Sequence, residues 1–265
     1  MKGNKGDDTL GKKDYGSVPS KREVDYSLYL VTDSGLMTTA TIEESVGLGI
    51  LGGCTIVQLR ENDVSSLEFY QKAVSLREFT TKCGVPFIIN NRVDIALAIS
   101  ADGVHIGQND LPYKVAREIL GPDKLIGVSC NNVTEAKEAE AAGADYIGVG
   151  AMFATGTKTN TRPVTIQELK EIRHEVSIPI VAIGGINKDN IALLEGTGID
   201  GVAVVSAIVA QEDIAGAAKE MKKRVEEVMA QYIYFKNDAE DATKKSYSME
   251  SSVAKNGARN TRRKI

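Results

Sequence analysis

The stretch GADYIGVG at residues 143–150 decides the fold, because the chain repeats it as SADGVHIG at 100–107 and GIDGVAVV at 198–205. Each copy reads as a helix end, a small residue, an aspartate and then a short apolar run. A run with no polar alternation can be buried on both faces, the mark of a strand inside a parallel sheet. Asp102, Asp145 and Asp200 therefore stand at strand beginnings, and we read them as capping and turning the chain rather than as catalysts.

Working outward, similar runs occupy Leu28–Val31, Thr55–Leu59, Phe87–Ile89, Gly103–Ile106, Leu125–Val128, Tyr146–Val149, Ile180–Ile183 and Val202–Val205. Helical stretches follow each, for example Ser66–Lys82, Pro112–Leu120, Thr134–Ala142 and Asp213–Met229, with apolar residues three and four apart. Eight strand–helix alternations predict a single (β/α)8 TIM barrel, of the α/β class, over residues 25–231. Residues 1–24 and 232–265 are polar and hold too little apolar surface to offset the entropy of ordering, so both are expected to be disordered tails. The second ends in Arg259, Arg262, Arg263 and Lys264, a solvated or weakly anion-binding terminus.

A net charge of -4 and the absence of a basic stripe in the patterned region exclude nucleic acid as a partner. Cys54, Cys83 and Cys130 form no CxxC pair, and no secretory signal accompanies them, so we expect reduced thiols and a cytoplasmic protein. No apolar run approaches the roughly 18 residues of a membrane span. Two motif matches are structural. GLGILG at 47–52 has the dinucleotide-loop spacing but precedes a strand instead of following one, which makes it helix packing. Asn132 and Thr134 have glycosylation spacing, yet Asn132 with Glu135 reads as a helix N-cap.

In such a barrel the chemistry gathers just after each strand. GVGAMFATGTKTNTR, residues 148–162, follows the sixth strand with hydroxyls, glycines and cations suited to an oxyanion, although Thr157 stands where a Walker loop needs lysine. After the second strand, Gln58, Arg60 and Asn62 share one side by the two-residue period and could converge on one anion, or form a salt-bridged rim. After the third, Asn90, Asn91, Arg92 and Asp94 are open to a site role or to plain helix capping. Asp110 is placed for a hard cation such as Mg2+, or for a cap. Ser129 could donate to substrate, but no His or Asp pattern marks it as a nucleophile. Gly184-Gly185 and Val205-Ser206 fit the phosphate site that barrels build after their last two strands. His105, in strand four, either lines the pocket or packs; His174 sits among helix charges, and neither is assigned a catalytic role. Together these give two anion sites, one at Gly185 and Ser206, the other at Arg60, Lys158 and a metal.

These residues resemble the thiamine phosphate synthase family over about Ser27 to Val225. The likeness rests on YLVTD (29–33), VQLRE (57–61), INNRVD (89–94), GVHIGQND (103–110), YIGVGAMFATGTKT (146–159) and VAIGGI (181–186). It implies a transferase of thiamine biosynthesis that joins an aminopyrimidine diphosphate to a thiazole phosphate, carboxylated or not, releasing pyrophosphate. It further implies that Gln58, Leu59, Arg60, Glu61, Asn62, Asn90, Ser129 and Lys158 hold the pyrimidine diphosphate, with Arg60, Lys158 and Ser129 nearest the chemistry. Thr155, Gly156, Thr157, Gly185, Val205 and Ser206 would receive the thiazole phosphate, and Asp110 and Asn91 would stand at the Mg2+ site. Two positions depart from the family pattern: Asn91 replaces an aspartate and Asn62 a lysine. Those losses lend some weight to an alternative, a thiazole tautomerase-like isomerase on the same barrel. A catalytically silent phosphate-binding barrel is the other alternative. The expected partners are two phosphorylated small molecules, with no membrane, and the sequence is compatible with a homo-oligomer.

Overall fold

The computed structural model describes residue 21, residues 24–156 and residues 162–232. Eight strands run in sequence order around a closed parallel barrel: β1 (Leu28–Val31), β2 (Ile56–Leu59), β3 (Phe87–Asn90), β4 (Gly103–Ile106), β5 (Leu125–Cys130), β6 (Tyr146–Val149), β7 (Ile180–Ile183) and β8 (Gly201–Val204). β8 pairs back onto β1 through Leu28↔Val202 and Leu30↔Val204. The connecting helices are α1 (Ile42–Leu51), α2 (Ser66–Cys83), α3 (Val93–Ala98), α4 (Tyr113–Leu120), α5 (Val133–Ala142), α6 (Ile166–Glu175) and α7 (Ser206–Val209), and a last helix, α8, covers 214–232. The (β/α)8 expectation holds.

Strand periodicity sorts the side chains into two apolar layers. Leu28, Leu30, Val57, Leu59, Phe87 and Ile89 point outward with their counterparts on later strands and meet the helices. Tyr29, Val31, Ile56, Ile88, Leu125, Tyr146, Val181 and Ala203 point inward and fill the barrel axis. Each fully buried Leu or Ile contributes about 1.5–3 kcal/mol from area removed from water. Inward positions above this plug, toward the carboxyl ends of the strands, carry polar residues, and there the barrel opens.

At the opposite end the repeated aspartates do what their position suggested. Asp102 accepts the Phe87 N–H at 2.8 Å and pairs with Arg77 of α2 at 2.5 Å. Asp145 accepts the Ile126 N–H at 2.7 Å and pairs with Arg117 of α4 at 2.5 Å. Asp200 accepts the Ile180 N–H at 2.8 Å and pairs with Arg173 of α6 at 3.0 Å. Each acid thus ties its own strand start to the preceding strand and to the helix that leads into that strand.

Several boundaries differ from expectation for local reasons. β2 begins after Thr55, whose hydroxyl accepts from Leu28 N at 3.2 Å and donates to Leu28 O at 3.1 Å, a side-chain bracket beside the Thr55 N–H bond to Leu28 O at 2.8 Å. β3 and β5 run on through Asn90 and Ser129, which keep register with His105 and Gly148 despite their polarity. β8 starts one residue earlier, at Gly201. After β7 stands only a 3-10 turn, Ile191–Leu194, where a full helix was expected. The Asn190 side chain there accepts from Asn187 N at 2.9 Å, and Gly196 and Gly198, both at positive φ, turn the chain straight into β8.

The two structural motif readings also hold. In α1 a Cβ at Gly49 would lie 2.8 Å from Leu30 Cδ2, so the glycine lets the helix approach β1. Asn132 caps α5 by accepting Glu135 N at 2.9 Å. The expected tails lie almost wholly outside the described residues; at the inner edge of the first, Lys21 Nζ meets Asp145 Oδ1 at 2.9 Å.

Candidate active site

The strand carboxyl ends enclose a cavity of about 340 Å3. It gathers Gln58 and Arg60 from β2 and its loop, Asn90 from β3, Ser129 from β5, Thr155 from the loop after β6, Gly185 after β7, and Val205 and Ser206 after β8. Eight of the residues singled out from sequence therefore meet at one rim, although they span about 150 positions. β2 and β3 bring it amide and guanidinium donors, whereas the loops after β6, β7 and β8 bring glycines and hydroxyls.

Arg60 is held, not dangling. Its Nη1 pairs with Asp33 at 3.2 Å, and the Asn62 amide oxygen, turned to satisfy both groups, accepts from Nη1 and Nη2 at 3.1 and 3.2 Å. Asn62 therefore acts through Arg60 and does not itself line the cavity. Glu61 is turned away: its carboxylate, 2% exposed, binds Lys72 at 2.6 Å and the Ser34 hydroxyl at 2.7 Å, which pins the loop that carries Arg60. Leu59 points outward into the helix layer. Ser129 lies on the inward face of β5, whereas its neighbour Cys130 is buried outward, where desolvation pushes its thiol up to about 12. That cysteine is no nucleophile at neutral pH.

On the other side, Gly184 and Gly185 adopt φ of 100° and 65°, and a Cβ at Gly185 would sit 2.4 Å from Ala154 O. Glycine alone fits there, which leaves backbone facing the cavity beside the first turn of α7. Arg162 stands at the same mouth. It donates to Asn131 O at 2.9 Å and pairs with Glu168, the residue that closes a capping box with Thr165 at the start of α6. Gly156 does not line the cavity, and Thr157 and Lys158 lie outside the described residues.

Asn91 and Asp110 sit on neighbouring turns at the rim. Asn91 has φ 61°, and its N–H donates to His105 O at 2.9 Å; Asp110 closes a turn by accepting Gly107 N at 2.6 Å through Oδ2. Neither side chain lines the cavity, and no group of three or more His, Cys, Asp or Glu that could hold a metal occurs among the described residues. One carboxylate and one amide are hard oxygen donors. They suit a Mg2+ that takes most of its ligands from water and substrate phosphate, the common mode for this ion, and they do not suit a closed protein cage.

His105 and two tyrosines are the part that sequence reasoning left unassigned. His105 lines the cavity and contacts both Tyr146 Oη, at 3.1 Å from Nδ1, and Ser129 Oγ, at 2.9 Å from Nε2. Tyr29 and Tyr146 lie beneath it, each about 1% exposed. Their signal was the inward phase of β1 and β6, visible only once the register of the closed barrel is known.

Fold and site together define a (β/α)8 barrel enzyme built to hold phosphorylated small molecules at the carboxyl ends of its strands. The family model described as thiamine monophosphate synthase matches residues 28–208. A thiamine-phosphate synthase of Clostridium beijerinckii is 58% identical over 202 residues, covering 76% of this chain and 97% of the relative. One from Clostridium botulinum is 54% identical over 208 residues, covering 78% and 98%. The solved thiamine phosphate pyrophosphorylase of Pyrococcus furiosus superposes with a TM-score of 0.72 at 42% identity, over 78% of this chain and 98% of that one. The chain belongs to the thiamine monophosphate synthase family. No described helix is long and apolar enough to cross a membrane.

Proposed function

We propose that this enzyme condenses 4-amino-2-methyl-5-(diphosphooxymethyl)pyrimidine with a thiazole ethyl phosphate, giving thiamine phosphate and pyrophosphate with Mg2+ assistance. The observation that carries the reading is one cavity lined by two different donor sets, Gln58, Arg60 and Asn90 on one hand and Thr155, Gly185 and Ser206 on the other, which would suit two phosphorylated substrates. Gln58, Arg60, Asn90 and Ser129 receive the diphosphate-bearing pyrimidine, joined by Lys158. Thr155, Gly185, Val205 and Ser206 receive the thiazole phosphate, joined by Gly156 and Thr157.

In the reaction the bond from the pyrimidine methylene to the diphosphate oxygen breaks, and the electron pair leaves with the diphosphate. The thiazole nitrogen then gives its lone pair to the methylene cation, forming the new C–N bond. No protein nucleophile is required, in keeping with the buried state of Cys130. Arg60 is already fixed by Asp33 and Asn62, so it meets the developing negative charge without reorganising, which is the electrostatic contribution preorganised sites make. Asp110 and Asn91 would hold the Mg2+, which supplies further charge neutralisation on the leaving group when bound.

The test is direct. Purified protein mixed with both phosphorylated precursors and Mg2+ should release thiamine phosphate and pyrophosphate in equal amounts. Absent product with both ligands bound would reject the reading.

A further inference from the structure

Under the cavity, five side chains from five strands form one unbroken hydrogen-bonded line. Gln58 Nε2 donates to Tyr29 Oη at 2.8 Å; Tyr29 Oη and Tyr146 Oη are 2.9 Å apart; Tyr146 Oη lies 3.1 Å from His105 Nδ1; and His105 Nε2 lies 2.9 Å from Ser129 Oγ. The line starts at a buried amide and ends at a hydroxyl in the cavity wall.

Its direction follows from counting protons. A phenol carries one, and Tyr29 Oη has two partners among the described residues, of which Gln58 is a donor. Tyr29 must therefore give its proton to Tyr146, and Tyr146, having accepted, gives its own to His105 Nδ1. That nitrogen is then bare, the ring proton sits on Nε2, and it points at Ser129 Oγ. The opposite direction would leave the Tyr29 proton buried beside an N–H, at the cost of an unsatisfied donor. Ser129, accepting from below, is left with its own proton directed into the cavity. Both phenols are kept neutral by burial, which raises them well above their ordinary range.

The strands make room for this line at the expense of side chains of their own. A Cβ at Gly127 of β5 would lie 2.1 Å from Tyr146 Cζ and 2.5 Å from His105 Nδ1, and one at Gly148 of β6 would lie 3.0 Å from His105 Cε1. Neither glycine needs an unusual backbone angle, since neither falls among the positive-φ positions; the requirement is space. Tyr26 and Tyr29 flank Tyr146 at ring-centroid distances of 5.1 and 6.0 Å, fixing its phenol.

We propose that Tyr29 and Tyr146 are positioning residues that, through His105, hold the Ser129 hydroxyl as an obligatory hydrogen-bond donor to an acceptor atom of the diphosphate-bearing substrate. The inference rests on the reading of Ser129 as a pyrimidine diphosphate contact and adds what determines the direction of its proton.

Two measurements on the full-length chain test it. The first needs no activity: side-chain 1H–15N correlation of histidine-labelled protein at about pH 8, above the ordinary histidine pKa of about 6.5. The chain has two histidines, and exposed His174 serves as the reference. His105 should show a bare Nδ1 and a protonated Nε2; a proton on Nδ1, or a charged ring, overturns the proposal. The second is a double-mutant cycle on kcat/KM for the pyrimidine diphosphate. Tyr146→Phe should lower it about tenfold, the size of one misaimed hydrogen bond, with the KM for the thiazole phosphate unmoved. In the Ser129→Ala background the same change should do nothing further. Additive losses, or an equal rise in both KM values, overturn the proposal, and Tyr29→Phe provides the same cycle should Tyr146→Phe fail to fold. A wild type that makes no thiamine phosphate would reject the proposed reaction and leave the tautomer measurement to decide the line by itself.

Discussion

The two ends of the barrel use the same residue types in opposite ways. At the amino-terminal end, Asp102, Asp145 and Asp200 each accept a strand N–H and pair with an arginine, so their charges are consumed within the fold. At the carboxyl-terminal end, Arg60 is braced by Asp33 and Asn62 and still faces a cavity, and Ser129, 2.9 Å from His105 Nε2, lines the same cavity. Closed pairs at one end stabilise the structure; half-closed groups at the other are held ready for something that is not protein. Stability and activity should therefore separate by end.

The sharpest way to break that contrast is a pair of truncations. Arg60→Ala should lower kcat/KM about 10^2 to 10^3-fold, or about 3–4 kcal/mol of transition-state stabilisation. Its unfolding free energy should fall by only about 1–2 kcal/mol, because the change removes one part-buried ion pair and leaves no strand N–H without its acceptor. Asp145→Ala should do the reverse. It removes the acceptor of Ile126 N and the partner of both Arg117 and Lys21, so denaturant unfolding should show a loss of about 2–3 kcal/mol with kcat and KM intact in the folded fraction. Near-normal turnover in the first variant, or lost activity at full stability in the second, would erase the distinction.

A third change sharpens the active end alone. Asn91→Asp adds a second carboxylate to the proposed Mg2+ site, in the loop after β3. It should lower the Mg2+ concentration for half-maximal activity several-fold, up to about tenfold, since a formal charge replaces a carbonyl dipole. An unchanged value in the steady-state Mg2+ titration would remove Asn91 from the metal site.

Much of this contrast was readable in the sequence, and the unread part has a physical cause. The repeated small-residue–aspartate–strand pattern marked both the barrel and the structural use of its acids, because capping chemistry is local. The rim residues were found because each stands at the carboxyl end of its strand or in the loop after it, and strand order alone puts them at one end. Tyr29, Tyr146 and His105 escaped because their meeting depends on the stagger between β1, β4 and β6, a global quantity that no local spacing records. The same limit explains Glu61 and Leu59, which adjoin Arg60 in sequence yet turn to Lys72 and to the helix layer. It also explains the missing helix after β7, where two asparagines and two glycines outweighed the alternation of the surrounding chain.

The smallest expected effect tests whether the active end has any latch of the closed kind. Glu168 accepts the Thr165 N–H and hydroxyl and binds Arg162, and these contacts, led by the backbone hydrogen bond, hold its carboxyl down at about 2 against an ordinary value near 4.5. A depressed carboxylate binds fewer protons folded than unfolded, so the stability it contributes is complete above about pH 4.5 and is lost as the pH falls toward 2. At neutral pH the Arg162–Glu168 contact is therefore intact. Carbon-detected titration of the Glu168 carboxyl should give a midpoint near 2, and Arg162→Gln should raise it only part of the way to 4.5, because the Thr165 contacts remain. Arg162 is 57% exposed, whereas the arginines of the amino-terminal pairs are 14–22% exposed, so Arg162→Gln should leave the unfolding midpoint almost unchanged at pH 7. A midpoint near 4.5 in the unmodified protein would mean the latch does not form in solution.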